Sequence, residues 1–100
     1  MTERRVWTHG TWTVKRGRED EFVLAWTSMR DAVTAAFGHV DRPTLLRDRE
    51  HPNVFVSFGP WPDVDHVRQF RGSEQFTQAI AAMGPLLDDF QTATLDEVAS

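Results

Sequence analysis

Apolar side chains fall at Phe22, Ala25, Trp26, Met29, Val33, Ala36 and Phe37, a recurrence every three to four positions that predicts an amphipathic helix. Glu19, Asp20 and Glu21 stand where the helix dipole favours negative charge, and Gly38 where a left-handed cap would end it. Before this helix, VWTHGTWTV from Val6 to Val14 reads as a strand, and Lys15 to Arg18, with Gly17, as the turn out of it. Thr44 to Arg49 and Val54 to Phe58 read as two further strands, a hairpin joined by Glu50, His51, Pro52 and Asn53. The run WPD places Trp61 on a turn and opens a short helical piece through Phe70. Arg71 and Gly72 interrupt it, and Ser73 caps a second piece carrying Phe76, Ala79, Ile80, Met83 and Leu86. Phe90 to Val98 returns as a strand.

The order strand, helix, strand, strand, helix, strand makes two split βαβ units. It predicts an α+β, ferredoxin-like βαββαβ sandwich, a four-stranded antiparallel sheet with its helices on one face. Both crossovers are right-handed and return over the same side. The other face is left bare, yet the strands are apolar on both sides. Trp7 and Trp12 project oppositely from the first strand; Val54, Val56 and Phe58 oppose Phe55 on the third; Phe90 and Val98 oppose Ala93 and Leu95 on the last. Sheets of that kind are covered twice, and one chain has helix enough for one side. A second copy is the simplest cover, so a homodimer with two sheets face to face is expected.

At 100 residues the chain is expected to form a single domain over 1–100 with one core. No run of about 18 apolar residues is present to span a membrane, and MTERRVWT lacks the apolar segment of a signal peptide, so the expected location is cytoplasmic. Cysteine is absent, which removes disulfides, thiol nucleophiles and cysteine-ligated metal centres. A net charge of −4 argues against nucleic acid as a partner. Arg4, Arg5, Lys15, Arg16 and Arg18 are answered by Glu19, Asp20 and Glu21 in a mixed, solvated surface.

The first strand running into KRG, the helix opening EDEF, and the block VFVSFGPWPDVDHVRQFRGSEQFTQAI together resemble the antibiotic biosynthesis monooxygenase (ABM) family of dimeric α+β barrels, over nearly the whole chain. The resemblance implies a chamber in each subunit, between helices and sheet, that holds a planar aromatic ligand. Active relatives oxidise phenolic polyketides to quinones without metal or flavin, with molecular oxygen as co-substrate, or degrade haem. Where the quinone-forming branch uses an asparagine, a tryptophan and a tyrosine, this chain has Ser57, Trp61 and Val67; only the tryptophan is kept. Where the haem-degrading branch uses an asparagine, a tryptophan and a histidine, it has Gly10, Phe70 and Ile80. That disfavours the haem chemistry, because isoleucine cannot ligate iron.

On this reading Trp61, Trp12, Gly10, Trp26, Phe70 and Ile80 are the candidate substrate-binding residues. Each has a plainer alternative. Trp61 can seal the sheet's end, Trp26 and Phe37 can belong wholly to the core stripe, and Gly10 can mark a bulge rather than open volume. His66, beside the Val64 and Val67 stripe, is the candidate general base at the chamber's rim, since imidazole titrates near neutrality; a surface position is the alternative. His9 belongs to the dimer face, while His39 and His51 read as solvated. No HxxxH or HExxH spacing supports a metal site. Two other classes stay open. One is a non-catalytic dimer that binds a small hydrophobic metabolite. The other is an RNA recognition motif, which shares this topology. Its signature agrees here only in FVSF, behind a mismatched HPNV.

Overall fold

The computed structural model describes residues 5–38 and 43–99; Arg4 and His39, both read above as surface residues, lie outside them. The elements run β1 (Val6–Val14), α1 (Glu19–Phe37), β2 (Thr44–Arg47), β3 (Val54–Trp61), α2 (Val64–Arg71), α3 (Glu74–Met83), a single 3₁₀ turn (Gly84–Leu86) and β4 (Leu87–Asp96). The sheet is antiparallel throughout, in the order β2-β3-β1-β4. This is the ferredoxin-like arrangement expected from the element order.

Local chemistry fixes the joints. Gly17 turns the chain from β1 into α1 at φ +88°, a region that costs a side-chain-bearing residue strain. At the start of α1, Glu21 clasps the Arg18 guanidinium at 2.7 and 2.9 Å, and at its end the Gly38 N–H caps the Thr34 carbonyl. Asp63 and Ser73 are the N-caps of α2 and α3, accepting from the backbone N–H of His66 and Phe76.

Four strand boundaries differ from the sequence expectation, one of them the start of β4, at Leu87 rather than Phe90. β2 stops at Arg47 because the Asp48 carboxylate takes the N–H groups of Glu50 and His51 into the turn; those bonds, that of His51 first, hold its pKa below the ordinary carboxylate value. β3 runs on through Gly59 and Pro60, so Trp61 is a strand residue paired with Val6. β2 begins at Thr44 opposite Phe58. Beyond that point, among the described residues, β3 pairs with a strand on one side only, and an edge tolerates proline. β4 ends at Asp96, leaving Val98 outside the sheet at 72 % exposure. Gly10 is no bulge; its pairing with Ser57 and Thr92 is regular, and the slip in β1 falls between Thr13 and Val14.

The helix-facing core forms two clusters. One gathers Trp12, Val14, Phe22, Trp26, Phe55, Met83 and Leu86. The other gathers Val6, Val33, Trp61, Val67 and Phe70, and Met29 packs against both. On the helix-free face, Trp7, Val56, Phe58 and Ala93 are only half-buried, and Leu46 and Leu95 are 50 % and 46 % exposed. No helix among the described residues is long and apolar enough to cross a membrane.

Candidate functional site

The seam between the two clusters is a consequence of residue size along the sheet. Strand pairing sets Trp12, Phe55 and Phe90 in one cross-strand row of the helix-facing side, and Val6 with Trp61 in another. Between them lie two rows of small residues, Gly10 with Ser57 and Thr92, then Thr8 with Gly59 and Thr94. Large side chains at both ends and small ones in the middle leave a hollow under the helices. Trp26, Met29, Arg30 and Val33 of α1 roof it, while Phe70, Arg71 and Phe76 close its α2–α3 side. The cavity volume is about 60 Å³. An open groove of about 470 Å³, lined by Val23, Thr27, Leu45 and Phe55, adjoins it and shares Trp26, Arg30 and Pro43.

Five of the six candidate binding residues, Gly10, Trp12, Trp26, Trp61 and Phe70, border this chamber. Ile80 does not; it packs against the first core cluster, and Phe76, one helical turn earlier, lines the chamber. His66 also stands outside the lining. Its Nδ1 lies 2.7 Å from Asp63 Oδ1 at the start of α2, and the ring's hydrogen bond, then the His66 N–H, hold the Asp63 carboxyl below its usual pKa. His9 borders the chamber, but its pairing with Phe58 and Ala93 puts its side chain in the helix-free row.

Three indoles meet here, and their polar atoms fare differently. Trp12 lies flat on Phe90, centroids 4.0 Å apart at 16°, and its Nε1–H donates to Ser57 Oγ at 2.9 Å. Trp61 tilts over Phe70 at 5.0 Å and donates to Thr8 Oγ1 at 3.0 Å. Trp26 Nε1 is fully buried with no partner among the described residues. An unpaired buried N–H costs about 1–3 kcal/mol, so a group that bonds to it from the chamber recovers that energy.

Arg71, which the sequence marked only as a break between helices, reaches across the chamber's edge to Thr94 Oγ1 at 2.7 Å, Thr92 Oγ1 at 3.2 Å and the Ala93 carbonyl at 3.3 Å. Sequence reading missed Arg30, Arg71, Thr8 and Thr92 as lining residues. Their signal is the cross-strand register, which brings the small positions of three strands together only once the strands are aligned. No group of three or more His, Asp or Glu side chains among the described residues is placed to hold a metal ion.

Gly10 is where the packing is tightest. A Cβ there would lie 2.9 Å from Ser57 Oγ and 3.0 Å from Trp12 Nε1, against the very hydrogen bond that fixes the Trp12 ring. Gly10→Ala is therefore expected to destabilise the fold by about 1–3 kcal/mol and to displace Trp12, read as a lowered urea midpoint and an altered near-UV tryptophan spectrum. An unchanged midpoint would mean that Ser57 turns aside freely.

The strand order and the apolar, aromatic-walled chamber between one sheet and its helices define a ferredoxin-like α+β domain. The sequence profile of antibiotic biosynthesis monooxygenases matches residues 6–82, and the chain belongs to that family. Among curated proteins none is significantly similar in sequence. Among solved structures, SnoaB, a cofactor-independent oxygenase from Streptomyces nogalater, superposes with a TM-score of 0.84 at 23% identity, over 98% of this chain and 97% of that one. A point mutant of SnoaB gives 0.85 at 24% identity, over 96% and 95%. Protein SO0527 from Shewanella oneidensis gives 0.83 at 14% identity, over 96% and 93%. At these identities the likeness carries the fold, and the chemistry must be argued from the site.

Proposed function

We propose that the protein is a cytosolic, homodimeric, cofactor-independent monooxygenase acting on a small phenolic aromatic of the polyketide hydroquinone type. The observation that carries this reading is the chamber itself, with Trp12, Trp26 and Trp61 around a floor of small residues. Flat apolar walls with a few polar atoms suit a planar aromatic ring. SnoaB, of the same fold, is described as a cofactor-independent oxygenase, which supports a reaction that needs only oxygen. The homodimer is supported by the half-covered apolar row of Trp7, Val56, Phe58, Leu46 and Leu95 on the helix-free face, a patch of the sort that marks an interface.

The chamber is small for the task. A cavity of about 150 Å³ holds one benzene ring, more than twice the ≈ 60 Å³ found here. A fused ring system therefore displaces Trp26 and Arg30 toward the neighbouring groove, which is where the two volumes adjoin.

For a ring bearing an activated CH₂, the reaction balances without an external reductant. The CH₂ loses a proton and the resulting carbanion passes one electron to O₂. The radical pair joins as a C–O–O⁻ peroxide, which takes up a proton. Loss of the second C–H proton then expels hydroxide and leaves C=O, so CH₂ and O₂ become C=O and H₂O. What the protein supplies is a dry, shaped volume and donors for the anion.

A second reading, a non-catalytic dimer binding the same kind of molecule, is favoured by one observation: among the described residues no carboxylate lines the chamber, and His66 lies outside it. Oxygen uptake with a panel of anthrones and naphthols decides between them. Turnover by protein treated with chelator and free of flavin, lowered about 10-fold or more in Trp61→Phe, which keeps a ring and loses the bond to Thr8, is the expected result. Tryptophan quenching with no oxygen consumed would establish the binder instead.

A further inference from the structure

Among the described residues, the chamber's charged groups are donors, and its hydroxyls can donate as well as accept. Ser57 and Thr8 each accept from an indole, which leaves their hydroxyl protons to point elsewhere. Arg71 bonds only to neutral oxygens. Arg30 shares its charge with neighbouring Asp31, through two 3.2 Å contacts to a carboxylate that is 61% exposed. Trp26 Nε1 is buried and bonds to nothing among the described residues. Among the described residues, the charged groups lining the chamber are Arg30 from α1 and Arg71 from α2; the sheet contributes none, since the His9 side chain belongs to the other face.

We propose that the Trp26 indole N–H recognises the ligand's oxygen, and that the ligand selected is an aromatic oxyanion, a phenolate or a carboxylate, in preference to the same ring without a charge. This rests on the reading that the chamber holds an aromatic molecule, and it deepens that reading by naming the group and the residue. A ligand that donates finds no carboxylate among the described lining residues. One that accepts satisfies the orphan Trp26 N–H and meets two guanidiniums in a site of low polarity, where hydrogen bonds to charge are strongest. The ligand thus sheds its acidic proton on the way in, and the protein needs no base inside the chamber for that first ionisation.

The full chain is titrated with naphthalene, 2-naphthol at pH values either side of its own ionisation, and 2-naphthoate. Expected is binding of 2-naphtholate or 2-naphthoate roughly 10-fold or more tighter than naphthalene, with the Trp26 indole N–H resonance moving downfield for the anion and not for naphthalene. Either anion alone carrying the preference supports the proposal and identifies the oxygen group. Trp26→Phe should lower the ratio of anion to naphthalene affinity by about 5-fold or more, the two guanidiniums accounting for the preference that is left. The proposal is overturned by a wild-type protein with no anion preference, by an unmoved Trp26 resonance, or by a Trp26→Phe variant that keeps the preference in full. The resonance needs no variant, so a substitution that unfolds the protein does not obscure the answer. Trp26-dependent anion binding without oxygen uptake would sink the oxygenase reading alone; oxygen uptake with Trp26-independent binding would sink this one alone.

Discussion

Phe22→Ala is expected to lower the stability of the fold by about 3–5 kcal/mol, roughly a fifth or more of what a domain of this size commonly has. Phe22 is fully buried on α1, its ring 5.3 Å from that of Trp12 and 5.0 Å from that of Phe55. Truncation removes the contact that holds the helix onto the sheet at the point where both are aromatic, and the surrounding indole and phenyl rings are too rigid to refill the space. Urea unfolding at fixed protein concentration measures it, since a dimer's midpoint moves with concentration. A loss below about 1 kcal/mol would mean that the first cluster repacks and that its rings do not act as a unit.

The second large effect belongs to the other face of the sheet. Val56 lies on β3, flanked by Thr11 of β1 and Leu46 of β2, in the middle of the helix-free apolar row. Val56→Asp would bury a carboxylate from each subunit in the seam of the proposed homodimer, at a cost of several kcal/mol for each uncompensated charge. The expected outcome is a weakening of association by about 1000-fold or more, seen as a monomer in sedimentation velocity at micromolar concentration with an unchanged far-UV circular dichroism spectrum. If wild type and variant both sediment as monomers, the face is not a self-association surface.

The parts of this architecture that local chemistry dictates were readable from the residues. The period of Phe22, Trp26, Met29 and Val33 gave α1; Asp63 and Ser73 gave the starts of α2 and α3; the alternation in β1 gave its two faces. What was not readable depends on neighbours. Gly59 and Pro60 look like an end of strand, and only the late start of β2 explains why β3 continues to Trp61. Ile80 and Phe76 share one helical stripe, and the docking of α3 decides that Phe76 borders the chamber and Ile80 the core. His66 is drawn away by the cap it sits on, Asp63, which the sequence showed without showing that the ring would bond to it as well. Arg71 and Thr92 are distant in the chain until β4 is set beside β1.

The floor of Gly10, Ser57, Thr92 and Thr8 lies between the two apolar clusters without belonging to either, and Ser57 and Thr8 hold the Trp12 and Trp61 indoles of those clusters in place. Thr92 differs, since its bonds run to Arg71 and the His9 carbonyl, so its size can be changed while the two indole anchors are left as they are. The sheet thus behaves as a mould with one adjustable insert: trimming Thr92 deepens the cast. Redesign toward bulkier or slimmer rings should begin on these strands rather than on the helices that roof them.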